Sequence, residues 1–254
     1  MNDELIAQID VIADRVKAAR SVVVLTGAGI SAESGIRTFR DTMEGLWKEF
    51  DPATLATPEA FARDPVTVTK WYDWRRLGCL AAEPNAGHLA LARLEQRVRV
   101  RGGEFTLFTQ NVDRLHHRAG SKDVVELHGS IVEWRCNDTG KLIEPPPEAF
   151  EEYPPKSPFV KGGILRPNVV WFGEALSEAA LNRAFGCVPK CDVFFTLGTS
   201  SQVHPAAGFV VVAARGGAFT VEINKDATPA SGGVDVSIRG STGEVLPAIV
   251  ERLS

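Results

Sequence analysis

The chain has 254 residues, 44% of them hydrophobic, with a formal net charge of −4. That length allows one sizeable α/β core with an insertion, and the mild acidity gives no electrostatic footprint for nucleic acid. No apolar run reaches membrane-spanning length, the polar and acidic start is neither a secretory nor a transit leader, and four scattered cysteines (Cys79, Cys136, Cys187, Cys191) make no disulfide framework, so the cytoplasm is the expected compartment.

Leu5, Ile6, Ile9, Ile12 and Val16 recur at helical spacing, which predicts an amphipathic helix over 3–19. SVVVLTGAGIS (21–31) then reads as a short buried strand running into a glycine-rich turn. Residues 37–85, rich in aromatic and charged side chains, look helical or irregular. Further buried-strand candidates are 105–109, 124–127, 168–172, 193–197 and 218–223, separated by helical or loop-like stretches. Residues 136–167 are proline-rich and lack apolar periodicity. Pro205 suits the first turn of a helix through Ala214 that Gly216 and Gly217 would end, and 242–253 reads as a closing helix. This alternation predicts a Rossmann-like, doubly wound parallel sheet with a smaller discontinuous module. The large part would span about 1–36, 86–132 and 168–254, and the small one about 37–85 and 133–167.

Gly27-Ala28-Gly29-Ile30-Ser31-Ala32 fits G-x-G-x-x-G/A directly after a strand, where glycine lets the backbone approach a pyrophosphate. A tight turn with no ligand accounts for the same residues. A dehydrogenase would show a second strand after one helix, ending in an acid for the ribose. Here the next good strand lies about seventy residues beyond Gly35, which disfavours hydride transfer.

The segments GAGISAESGIRTFRD (27–41), TQNVDRLH (109–116), LHGS (127–130), RPNVVWFGE (166–174), LGTSSQVHPAAG (197–208) and VEIN (221–224) occur in the order seen in sirtuins. The chain resembles that family of NAD-dependent protein deacylases over nearly its whole length. The resemblance implies that NAD is consumed as a co-substrate. The acyl oxygen would attack the ribose carbon bearing nicotinamide, and a ribose hydroxyl, deprotonated by His128, would then attack the resulting imidate. An imidazole suits that task because it titrates near neutral pH. A lone histidine at a strand end is otherwise an ordinary structural residue. The same resemblance assigns Asn111 and Asp113 to the nicotinamide carboxamide, with Gln110 beside them. Arg37 and Phe39 would belong to the cofactor loop, the arginine meeting phosphate and the phenylalanine shielding the reacting carbon from water. Gly198, Thr199 and Ser200 would meet phosphate and ribose, Asn224 the adenosine ribose, and Thr242 the adenine side. Val170, Trp171, Phe172, Gly173 and Glu174 resemble the segment that pairs with the substrate backbone as an added strand, a mode that tolerates many peptide sequences.

Tyr72 and Arg75 form Y-x-x-R on one helix face. In the desuccinylase and demalonylase branch such a pair binds the distal carboxylate of the acyl chain, and Ala56 matches the small residue that widens the pocket. A guanidinium fork matches a carboxylate, and a phenol adds one hydrogen bond. A surface aromatic–arginine pair gives the same pattern, and Trp74 and Arg76 read as packing and solvent residues. Most sirtuins also hold a structural zinc with two C-x-x-C pairs. Here Cys136 stands at the first ligand position with no second cysteine after it, and SPFVKGGILRP (157–167) has none, so no zinc is expected. The proline-rich stretch would then rely on packing and rigid prolines. The expected activity is deacylation of acyl-lysine proteins, with NAD hydrolysis, ADP-ribosyl transfer or a silent NAD sensor as rivals.

Overall fold

A run such as SVVVLT has no polar face, so as a strand it needs cover on both sides. The computed structural model describes residues 2–36 and 52–253 and provides that cover. In chain order the elements begin with α1 (Asp3–Ala18), β1 (Ser21–Thr26), α2 (Ala28–Ala32), α3 (Pro52–Leu55), α4 (Pro58–Arg63), α5 (Pro65–Ala81), α6 (Ala86–Val100) and β2 (Glu104–Thr109). They continue with α7 (Leu115–Arg118), β3 (Val124–Glu126), β4 (Gly129–Cys136), β5 (Leu142–Ile143), β6 (Leu165–Val169) and α8 (Glu178–Cys187). The last are β7 (Val193–Leu197), α9 (Phe209–Arg215), β8 (Phe219–Asn224), β9 (Val236–Arg239) and α10 (Thr242–Glu251).

Six strands form one parallel sheet in the order β3-β2-β1-β7-β8-β9. Alternation along β1 decides which helices it meets. Val22 and Val24 face a core with Ile9, Ile12 and Val16 of α1, Leu91 and Leu94 of α6, and Leu246 and Ile249 of α10. Val23 and Leu25 face the opposite core, with Ala180 and Ala184 of α8 and Phe209 and Ala213 of α9. This is the doubly wound, Rossmann-like sheet that the sequence predicts. The chain runs from β1 outward to β2 and β3, then returns to the other side of β1 with β7. That reversal puts the ligand crevice at the carboxyl ends of β1 and β7.

A separate antiparallel sheet, β5-β4-β6, packs against α4 and α5. Its core joins Phe61, Val68, Trp71 and Tyr72 to Ile131, Trp134, Leu165, Val169 and Trp171. Here the structure departs from the sequence reading. The strand expected at 168–172 belongs to this small sheet and runs Leu165–Val169, while Val170 onward leaves it. β4, β5 and β9 were not anticipated. The helix expected from Pro205 starts as a 3₁₀ turn, Ala206–Gly208, before α9.

Arg76 is a second correction. It is 1% exposed, not a solvent residue. Its Nε donates to Asp73 Oδ1 at 2.8 Å, while Nη1 and Nη2 donate to the carbonyls of Pro146 and Glu148, each at 2.6 Å. Asp73 Oδ2 accepts from the Phe150 amide at 3.0 Å and from the Tyr153 hydroxyl at 2.5 Å. The proline-rich stretch is therefore tied to α5 by a buried ion pair whose lone pairs and protons are satisfied, and not by apolar packing alone.

Candidate functional site

At the carboxyl edge of the sheet the glycine turn after β1 abuts the turn after β7. The Gly27 amide donates to Leu197 O at 3.0 Å and the Gly29 amide to Gly198 O at 2.7 Å. A Cβ on Gly27 would lie 2.7 Å from Thr199 Cβ, and one on Gly29 would lie 2.7 Å from Gly198 O. Gly198 sits at φ +56, where a side chain is strained. Close approach of the two turns thus requires these glycines before any ligand does. Ala28, Ile30 and Ser31 form the short helix α2 that follows, with Ile30 and Ser31 buried. Thr199 is held by Gln110, whose Nε2 donates to its Oγ1 at 2.9 Å. Ser200 is half-buried, and the next residue, Ser201, has φ +52 and a buried hydroxyl with no partner among the described residues. That unsatisfied group is one a phosphate or ribose oxygen would fit, and the sequence reading stopped short of it.

The loop after β2 adds a buried polar chain. Asn111 Nδ2 donates to Gly27 O at 3.1 Å and to Ser31 Oγ at 3.0 Å. Ser31 Oγ in turn donates to Asp113 Oδ2 at 2.7 Å, and Asp113 Oδ1 accepts from the Leu115 amide at 2.9 Å. Burial raises the Asp113 carboxyl above its ordinary value, partly countered by those two donors. Behind Ser31 stand residues the sequence reading missed. His88 Nδ1 accepts from the Asn85 amide at 3.3 Å, so its proton is on Nε2, 3.4 Å from Ser31 Oγ. The His116 ring lies 4.8 Å from that of His88, with its Nε2 at 2.9 Å from Thr26 Oγ1. Burial lowers His88 to about 4 and His116 well below the ordinary value, so both are neutral. His116 stood inside TQNVDRLH, and Asn85 ahead of His88 is a helix-cap signal; neither pattern says that the two rings meet.

His128 lies just before β4. Its Nδ1 is 3.0 Å from Gln110 O. A carbonyl only accepts, so Nδ1 carries the proton and Nε2 is the basic nitrogen. Burial lowers the His128 pKa, opposed by that hydrogen bond, and the ring is neutral at neutral pH. The His128 carbonyl accepts from the Val170 amide at 2.9 Å, so the histidine is joined to the first residue of the 170–174 segment. Gly129, at φ +74, makes this possible, since a Cβ there would lie 2.2 Å from Asn168 O.

Across the small module, Ala56 is buried and its carbonyl accepts from the Phe172 amide at 2.9 Å. Tyr72 is 3% exposed, and burial pushes its hydroxyl up to about 12 against the pull of Arg75. The Arg75 guanidinium carbon lies 4.7 Å from the Trp71 ring centre and 5.7 Å from that of Tyr72. The Trp171 ring lies 6.2 Å from Tyr72 and 5.2 Å from Phe61. Ala56, Tyr72, Arg75 and Trp171 are thus one cluster, and Phe172 projects from it, 48% exposed. Gly173 has φ +89 in the turn that returns to Glu174.

Asn224 ends β8, its Nδ2 donating to Asp226 O at 2.9 Å and its carbonyl accepting from the Gly240 amide at 3.1 Å. Thr242, 3% exposed, opens α10, whose first turn is tied to the glycine turn through Glu33, which accepts from Ser241 Oγ and the Gly243 amide, each at 3.1 Å. Asn224 and Thr242 lie along the β8–β9 rim, away from His128. Arg37 and Phe39 lie outside the described residues. A tetrahedral zinc does not fit what surrounds Cys136, whose Sγ has Asp138 Oδ2 at 4.0 Å. Among the described residues no three His, Cys, Asp or Glu side chains gather as a metal-binding group.

The chain is similar to known proteins in sequence and in fold. The model of the Sir2 family matches residues 27–205. An NAD-dependent protein deacylase of Thermus thermophilus is 50% identical over 231 residues, covering 91% of this chain and 89% of that protein. NAD-dependent protein deacylase 1 of Pseudomonas aeruginosa is 46% identical, covering 92% and 94%. Among solved structures, a Sir2 homolog–NAD complex superimposes with a TM-score of 0.89 at 43% identity, covering 96% of this chain and 93% of that one. A Sir2 protein bound to acetylated peptide gives 0.85 at 30% identity, covering 97% and 99%. With its glycine turns interlocked, its histidine between the two sheets and this likeness along nearly its full length, the chain belongs to the Sir2 family, the sirtuins.

Proposed function

We propose that this protein removes acyl groups from lysine side chains of other proteins with NAD as the consumed co-substrate, and that it favours acyl chains ending in a carboxylate. Bound NAD supplies a ribose carbon from which nicotinamide departs and a ribose hydroxyl that receives the acyl group. Gly27, Ala28, Gly29, Ile30, Ser31, Gly198, Thr199 and Ser200, with Arg37, would hold its phosphates and nearer ribose. Asn111 and Asp113 offer a donor and an acceptor to the carboxamide, with Gln110 bracing their loop, and Phe39 would shield the reaction from water. Asn224 and Thr242 would take the adenosine end. The observation that carries the reading is His128: its Nδ1 proton is committed to Gln110 O, which leaves Nε2 free to take the hydroxyl proton. The peptide backbone would lie along Val170–Glu174, with the acyl chain passing toward Ala56 and ending at Tyr72 and Arg75. The products would be nicotinamide, acylated ADP-ribose and free lysine.

The acidic preference rests on a cation held against aromatic rings beside the buried Ala56 and Trp171. NAD hydrolysis or ADP-ribosyl transfer would use the same cofactor residues but gain nothing from such a clamp. The deciding assay compares acetyl- and succinyl-lysine peptides of one sequence by mass spectrometry. Arg75→Met should cut kcat/KM for the succinyl peptide about tenfold to a hundredfold more than for the acetyl peptide, the range of one charged hydrogen bond. Tyr72→Phe should do so more weakly. A parallel fall in both activities would make the enzyme a general deacetylase, with these residues merely holding α5.

A further inference from the structure

The turn after β6 is fastened by one buried arginine. Arg166 is 6% exposed; its Nη1 donates to Glu174 Oε1 at 2.7 Å and its Nη2 to Glu174 Oε2 at 2.9 Å, a two-pronged pair. Nη2 also reaches the Val169 carbonyl at 3.2 Å, and the guanidinium carbon lies 3.3 Å from the centre of the Trp171 ring. Glu174 closes the circuit: its Oε2 accepts from the Trp171 amide at 2.9 Å, and its own amide donates to Trp171 O at 3.0 Å. Arg135 adds a longer contact to Glu174 Oε1, at 3.7 Å. These bonds hold Glu174 low in pKa despite its burial. Both oxygens of Glu174 are therefore spent on Arg166 and the turn's own backbone, and the Phe172 side chain is left half exposed beside them.

We infer that the Arg166–Glu174 pair is a positioning device for substrate: it fixes the main chain of 170–174 in the shape that receives an acyl-lysine peptide, and neither side chain contacts that peptide. The inference rests on the proposed pairing of peptide with this segment. A turn outside the β4–β6 ladder loses conformational freedom on binding unless it is already ordered, and prior ordering is repaid in affinity for the peptide alone. The cofactor residues lie on the other sheet and do not share these bonds. Arginine is required for the role because a lysine cannot fork onto both oxygens and lie flat on an indole.

Steady-state kinetics of the whole enzyme, with NAD and peptide varied separately, test this. Arg166→Met should raise the peptide KM about tenfold to a hundredfold, the equivalent of one charged hydrogen bond, with the NAD KM unchanged. Arg166→Lys, which keeps a charge beside Glu174 and is the variant to use if methionine does not fold, should recover part of the loss. Amide exchange at 169–174 should quicken in either variant while the parallel sheet stays protected. An unchanged peptide KM in a folded variant, or a parallel rise in both KM values, overturns the inference. A wild-type control uses the same peptide N-methylated next to the acyl-lysine. If methylation has no effect, the pairing and the inference fall together. If methylation weakens binding and Arg166→Met does not, only the positioning role falls.

Discussion

On the cofactor side of the site the polar groups are short. Thr26 and Thr109 end their strands, Ser31, Asn111 and Asp113 follow within five residues, and they bond to one another or to backbone, so their positions follow from the register of β1 against β2. On the proposed acyl side the groups are long and ringed: Tyr72, Arg75, Trp171 and Arg166 are held by stacking and by ion pairs on α5, β6 and the 170–174 turn. Short groups on strands cannot be moved without moving the sheet. Long groups on one helix face can be exchanged singly. On the proposed assignment, the contrast teaches that the fold would make the NAD chemistry hard to alter and the choice of acyl group easy to alter.

The largest test of that contrast is at the boundary between the two sides. His128→Ala should lower turnover about 100- to 10,000-fold, the span of one general base, with NAD affinity by calorimetry unchanged. Near-normal turnover would remove the boundary altogether. The next effect belongs to the acyl side's support. Arg76→Met leaves Asp73 buried without its cation, which should cost about 3–5 kcal/mol in denaturant melts and open 144–153 to protease. Its companion measurement is on the wild type, where a strong chelator should leave the melting temperature in place and elemental analysis should find substoichiometric zinc. Stoichiometric zinc would transfer the small module's stability from the ion pair to a metal. The smallest effect sharpens the cofactor side. His88 is held at about 4 against 6.5 when exposed, so the unfolded chain takes up the proton first. Stability is then complete above pH 6.5 and declines as pH falls toward 4, by about 3 kcal/mol from this residue. His88→Gln should flatten that decline; an unaltered slope would mean that other groups carry it.

The same contrast explains what the sequence made legible. β1, β2, β7 and β8 are short, mostly apolar runs that end at or just before glycine or a polar residue, so both the strands and the loops that follow them could be read directly. β9 could not, because Val236–Arg239 is a short edge strand that is only half covered. The run Val169-Val170-Trp171-Phe172 reads as a strand by composition, but Trp171 is apolar to fill the space between Phe61, Tyr72 and Arg166, not to pair in the sheet. In sequence Arg75 is set apart by Tyr72 three residues before it, while Arg76 reads as a solvent residue. A helix turns about 100° per residue, so one faces the rings of Trp71 and Tyr72 and the other points into the core toward Phe150 and the Glu148 carbonyl. Those partners lie more than seventy positions away in sequence, and no local pattern announces them. His88 and His116 were missed for the same reason: 57 and 90 residues separate them from the side chains they bond.

The two anchors of His128 bear on how this enzyme would respond to a poor substrate. Its ring is tied to Gln110 beside the parallel sheet, while its carbonyl is tied to Val170 at the head of the peptide edge. A peptide that tilted that edge would pull on the backbone of the base itself and turn the imidazole away from its target. Misfit in docking would therefore be felt as slow chemistry as well as weak binding. A single residue shared by both layers in this way would act as a checkpoint, and sequence discrimination by such an enzyme would show in kcat as well as in KM.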